Sequence, residues 1–71
     1  MRKNFQLFAQ LGKRECEVLK HLALGKTSAE IGEQLFISAA TVETHRKNIK
    51  QKLAVNSLYE LTEYARAFDL I

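Results

Sequence analysis

The sequence predicts an all-α domain, a four-helix bundle, and three observations predict it. No segment of the 71 residues sustains the apolar–polar alternation of a strand. Four segments repeat apolar residues at helical period. Pro is absent and Gly occurs only 3 times, which disfavours a loop-rich chain.

Each helix has its own signals. The first is expected over 13–24: Leu11, Val18, Leu19 and Leu22 fall on one side, and Lys13, Glu17 and Lys20 point elsewhere. Gly12 stands at its N-cap, a weaker cap than Ser or Thr. Gly25 follows the last apolar residue and suits a left-handed C-terminal turn. The second helix, 28–35, opens on a capping box, Thr27-Ser28-Ala29-Glu30, and carries Ile31 and Leu35. Gly32 lies inside it at a cost of about 1 kcal/mol relative to Ala; close approach of another helix would explain it. Ser38 caps the third helix, 39–53, in which Val42, Ile49 and Leu53 recur within a narrow arc. Ala40, Thr44, Lys47 and Gln51 lie opposite that arc, with Glu43 and Lys50 on one border and Asn48 on the other. The fourth helix, 57–68, is capped by Asn56 or Ser57; Leu58, Leu61, Tyr64, Ala65 and Phe68 give it a wide apolar surface. That surface either closes the core or leaves a strip for a partner. Residues 1–10 read as a linker or N-terminal extension, with a short extra helix as the alternative, and 11–71 as the domain.

Composition narrows the function. Hydrophobic residues make up 46%, too many for a disordered tail. A single Cys cannot form an internal disulfide, which points to a reducing compartment. No apolar run approaches the roughly 18 residues that cross a membrane, and Met1-Arg2-Lys3 precedes no signal-peptide core. There is no glycine-rich phosphate loop and no nucleophile motif, and a core this small has little room for an enzyme pocket. The chain is therefore read as non-enzymatic, without cofactor or metal. Cys16 reads as an ordinary thiol, and His21 has no partner at metal-ligand spacing.

The formal net charge is +3, from 11 basic and 8 acidic residues, and it is unevenly spread. Arg46, Lys47, Lys50 and Lys52 against the single acid Glu43 make residues 38–53 a basic segment, whereas 54–71 is acidic. Such a patch suits a polyanion, and a merely solvated helix face is the competing reading. Two short helices joined by a tight turn, the second basic on its outer face, make a helix-turn-helix. Its second helix fits the major groove of B-DNA, and its helix starts offer hydroxyls and N–H groups to phosphates.

The residues carry a resemblance as well. Lys13-Arg14-Glu15-Cys16-Glu17-Val18-Leu19, then Gly25, then Ser28-Ala29-Glu30-Ile31-Gly32, then the run from Leu35 to His45, then Asn48-Ile49 and Lys52-Leu53 resemble the LuxR-type DNA-binding domain, also called the GerE or NarL/FixJ type. The Ile-Ser-x-x-Thr-Val-x-x-His core with its following Lys-Leu is the specific part, and the likeness covers about residues 11–67. It implies a bacterial, cytoplasmic transcription regulator of the response-regulator, two-component kind. A receiver or sensor domain would precede this chain, and the domain would bind repeat promoter sites as a homodimer. RNA polymerase is left open as a further partner. It implies base contacts from Glu43, Thr44, Lys47 and Asn48, with Lys47 the first choice for guanine O6 or N7 and Thr44 for a thymine methyl. It implies phosphate contacts from Thr27, Ser28, Ser38, Thr41, Arg46 and Lys50, and a dimer face on Leu58, Tyr59, Leu61, Thr62 and Ala65. Three positions depart from the family pattern: Gly12 replaces a Thr cap, Leu58 replaces Arg, and Glu43 stands where many members have Lys. A carboxylate at 43 accepts from cytosine N4 but repels phosphate. Two other readings remain: a promoter-binding module like region four of sigma factors, and a helical protein-interaction module.

Overall fold

The computed structural model describes residues 2–71, with side chains from Gln6 onward. Five helices follow one another: α1 (Arg2–Ala9), α2 (Lys13–Ala23), α3 (Ser28–Leu35), α4 (Ala39–Leu53) and α5 (Leu58–Ala67). The described residues contain no strand. Helices α2 to α5 are the four expected from periodicity. Within the stretch read as a linker, an N-terminal extension or a short extra helix, Arg2–Ala9 form the helix α1, whose Leu7 packs half-buried against the core. Phe8 meets Phe68 with ring centroids 5.1 Å apart at 46°, so α1 closes one end of the bundle.

Helix α2 is the central post, packing against α5, α4 and α3, while α3 packs on α4. Val18, Leu19 and Leu22 of α2 meet Ile31 of α3, Val42, Ile49 and Leu53 of α4, and Leu61 and Ala65 of α5, all buried. Removing each large aliphatic side chain from water contributes about 1.5–3 kcal/mol. The buried set of α4 is the arc read from its period, which fixes the opposite face to the outside.

The helix starts follow the caps in the sequence. Thr27 Oγ1 accepts from the Glu30 N–H at 3.2 Å, and Glu30 Oε1 accepts from the Thr27 N–H at 2.8 Å. Ser38 Oγ accepts from the Thr41 N–H at 3.1 Å, and Ser57 Oγ from the Glu60 N–H at 3.1 Å. Gly12 has no side chain to offer, but its N–H donates to Glu15 Oε1 at 2.9 Å.

The helix ends share a device that the sequence hides. Gly25, Phe36, Ala54 and Asp69 all adopt positive φ (87°, 61°, 57° and 64°). In each case the next residue's N–H turns back to a carbonyl five residues earlier, at 2.8–3.2 Å: Lys26 to His21, Ile37 to Gly32, Val55 to Lys50 and Leu70 to Ala65. This is the Schellman arrangement. Only the first uses glycine. Phe36 is the least suited of the other three, and its ring is 93% exposed. Phe36→Gly relieves the left-handed backbone and loses little packing, so we expect the urea midpoint to rise by the equivalent of about 1 kcal/mol. A fall would mean that the ring holds contacts worth more than the strain.

One buried carboxylate ties the frame together. Glu15 is 7% exposed and accepts from Lys52 Nζ at 2.7 Å as well as from Gly12. Burial opposes its charge, but the Lys52 hydrogen bond, the Gly12 N–H and the Lys52 charge outweigh burial and hold the carboxyl below its ordinary 4.5. A depressed folded value means that the stabilisation is fully present above the unfolded value and is lost as pH falls through the folded one. Thermal stability is therefore expected to drop as pH falls below about 5. Glu15→Gln should flatten part of that drop while costing about 1 kcal/mol at neutral pH. An acid limb identical in the variant would assign the drop to other carboxylates.

Candidate nucleic-acid interface

The turn Phe36-Ile37-Ser38 sets the angle between α3 and α4. A Cβ on Gly32 would lie 2.6 Å from the Ile37 carbonyl oxygen, 3.4 Å from Ala39 N and 3.4 Å from the Ser38 carbonyl carbon. The glycine is there because the turn and the first residue of α4 cross close over α3. The Gly32 carbonyl in turn accepts from the Ile37 N–H at 2.9 Å, which locks the turn and presents Ser38 to cap α4.

The outer face of α4 is then fixed. Glu43, Thr44 and Lys47 are exposed, and Asn48 is half-buried at the border. Thr44 Oγ1 donates to the Ala40 carbonyl at 3.2 Å, so its hydroxyl hydrogen is spent on the helix. Of the residues expected at phosphates, Ser38 and Thr41 sit together at the start of α4 with hydroxyl oxygens 2.9 Å apart. The Thr27 hydroxyl serves its own capping box. Lys50 is half-buried along the flank of α4.

Three sequence-selected residues meet in one cluster. Ser28 Oγ donates to Glu43 Oε2, joining the start of α3 to the face of α4. Arg46 Nη1 lies 4.0 Å from the same carboxylate oxygen. Lys52, counted with the basic segment, is engaged with buried Glu15 and is not a free cation of this face. Nothing in local periodicity joins residues 15 and 52; only the packing of α2 on α4 does.

The expected dimer face needs correction. Leu61 and Ala65 are 0% exposed and belong to the core, because the side of α5 that carries them packs on α2. Tyr64 and Phe68 are also drawn in against the core. What stays open is Leu58 at 47% and Tyr59 at 74%, with Thr62 half-buried beside them.

Burial pushes the Cys16 thiol up, and Glu15 and Glu17 push it the same way, so it stays protonated. No group of His, Cys, Asp or Glu among the described residues could hold a metal, and no helix is long and apolar enough to cross a membrane.

A helix-turn-helix in a small all-α frame, with a polar and basic second helix facing out, defines a class of DNA-binding domains. The description "Bacterial regulatory proteins, luxR family" matches residues 9–65, and the chain belongs to that family. The family consists of DNA-binding regulators, not enzymes. The chain is 43% identical over 61 residues to the Fimbriae Z protein of Salmonella typhimurium, covering 86% of this chain and 29% of that protein. It is 50% identical over 58 residues to the Oxygen regulatory protein NreC of Staphylococcus carnosus, covering 82% of this chain and 27% of that protein. It thus spans under a third of the length of these relatives.

Proposed function

We propose that the chain is the sequence-specific, double-stranded-DNA-binding effector domain of a cytoplasmic bacterial transcription regulator, with α4 in the major groove. The observation that carries this reading is the division of α4. Val42, Ile49 and Leu53 are buried at 0–2% exposure, and Thr44 and Lys47 stand open on the opposite side. Lys47 reaches guanine O6 or N7, Thr44 offers its methyl to thymine, and Asn48 and Glu43 read neighbouring base edges. Thr27, Ser28, Ser38, Thr41, Arg46 and Lys50 fix the register on phosphates.

A receiver or sensor domain precedes the domain in the whole regulator, a reading supported by the short share of its relatives that the chain spans. Dimerisation uses Leu58, Tyr59 and Thr62. A stable interface needs about 800 Å² on each partner, more than three side chains supply, so pairing occurs on repeat sites in DNA.

An amide chemical-shift titration with a short duplex at low salt tests the reading. Shifts at residues 27–28 and 38–51 are expected. Shifts confined to 57–68 under self-association, or none at all, would overturn it in favour of a protein-interaction module.

A further inference from the structure

Glu43 is the only acidic residue in the segment 38–53, and the structure gives its carboxylate two partners that DNA would want. The Ser28 hydroxyl donates to it from the first residue of α3. Arg46 approaches from one turn along α4, at 4.0 Å, the outer limit of an ion pair. Arg46 is only partly satisfied there: its Nε is enclosed and has no hydrogen-bond acceptor among the described residues. A hydroxyl and a guanidinium thus converge on one anionic group at the junction of α3 and α4. In a DNA complex the anion available to such a pair is a backbone phosphate. In the free protein the Glu43 carboxylate holds that place.

The same carboxylate is 57% exposed on the face that meets base edges, where cytosine N4 is the donor it matches. Both partners meet one oxygen, Oε2, so a carboxylate that swings toward the groove gives them up. Left in place, it repels the phosphate and neutralises Arg46. We propose that Glu43 couples base readout to backbone grip: a cytosine amino group draws the carboxylate away from Ser28 and Arg46, which then take a phosphate, and at other bases the carboxylate keeps them occupied. This rests on the DNA-binding reading above and adds a specificity mechanism to it. A cytosine at that position then adds its own hydrogen bond and one further phosphate contact. A wrong base forfeits both.

The coupling has a signature that simple base reading lacks. A site is first selected from random duplexes by the wild-type chain and by Glu43→Gln. The dependence of log K on log salt is then measured for both proteins. The duplexes are the wild-type site and a copy in which the C·G pair that the variant no longer selects is replaced by A·T. Wild type is expected to lose about tenfold in affinity on the replaced site. Its salt slope should also become shallower by about 0.9, the amount carried by one neutralised phosphate. Glu43→Gln is expected to lose the preference for C·G, its amide favouring the A·T copy if anything, and to show the steeper slope on each duplex, because its neutral amide does not neutralise Arg46. Because residue 43 is exposed, the variant should melt like the wild type, which a thermal scan checks. A wild-type slope that is the same on both duplexes would reduce Glu43 to an uncoupled base reader. Identical site preferences for the two proteins would remove it from base reading and overturn the proposal. Failure of wild type to bind any duplex would instead overturn the DNA-binding reading on which the proposal stands.

Discussion

Gly32→Ala is expected to destabilise the domain by about 1–2 kcal/mol, although alanine is the better helix former. Two effects of opposite sign compete. Replacing an interior helical glycine by alanine gains about 1 kcal/mol in propensity. Against that, the new methyl would stand 2.6 Å from the Ile37 carbonyl oxygen. That oxygen belongs to the turn's backbone and cannot swing aside as the end of a side chain would. Overpacking a well-fitted site costs about 1–3 kcal/mol and sometimes more, and here the strain must be relieved by moving the chain between α3 and α4. A domain of this size has a total stability on the order of 5 kcal/mol, so the loss shows plainly in urea unfolding. The consequence extends to function, because Ile37 and Ser38 set the start of α4. Duplex affinity should fall even where the variant is still folded. Two other glycines are the controls. A Cβ on Gly12 would meet only Glu15 Oε1, at 3.8 Å, so Gly12→Ala should change little. Gly25 has open space but φ +87°, so Gly25→Ala should cost about 1 kcal/mol through backbone strain alone. Equal stability of Gly32→Ala and wild type would mean that the turn is plastic and that α4 is positioned by its core contacts alone.

These glycines show which parts of the fold a sequence can disclose. The arc of α4 was legible because Val42, Ile49 and Leu53 share one period and one side, and all three are buried. The caps Thr27, Ser38 and Ser57 were legible because a hydroxyl at a helix start has a local partner. The apolar face of α5 was legible only as a whole. Periodicity places Leu58, Leu61 and Ala65 on one broad surface, but which of them meets the core depends on the angle at which α5 lies on α2. The structure gives Leu61 and Ala65 to the core and leaves Leu58 outside. The left-handed ends at Phe36 and Ala54 left no trace, because their residues are not those that favour that backbone. The Ser28–Glu43 and Glu15–Lys52 contacts also left none, since each joins residues far apart in the chain. At the candidate interface, residue types were therefore readable from the sequence. Which charges are free to meet DNA depended on tertiary contacts.

Lys47→Ala is expected to cost about 1–3 kcal/mol on the selected site and to relax its sequence preference. The reason is position: Lys47 lies opposite the buried arc of α4 and is exposed. In the proposed complex a lysine there reaches the floor of the groove and meets guanine acceptors. Its neighbours in the basic segment carry the same formal charge but sit elsewhere. Lys50 is half-buried along the flank, so Lys50→Ala should weaken all duplexes alike and lower the salt slope by about 0.9. Lys52 is bonded to buried Glu15, so Lys52→Ala should lower the melting temperature and leave site preference intact. Charge alone makes the three substitutions equivalent, each removing one positive charge from a basic helix. The structure makes them three different experiments, read as preference, slope and stability. If all three changed only affinity, uniformly across duplexes and by similar amounts, the outer face of α4 would be a general polyanion surface. Base recognition would then have to come from somewhere other than Lys47.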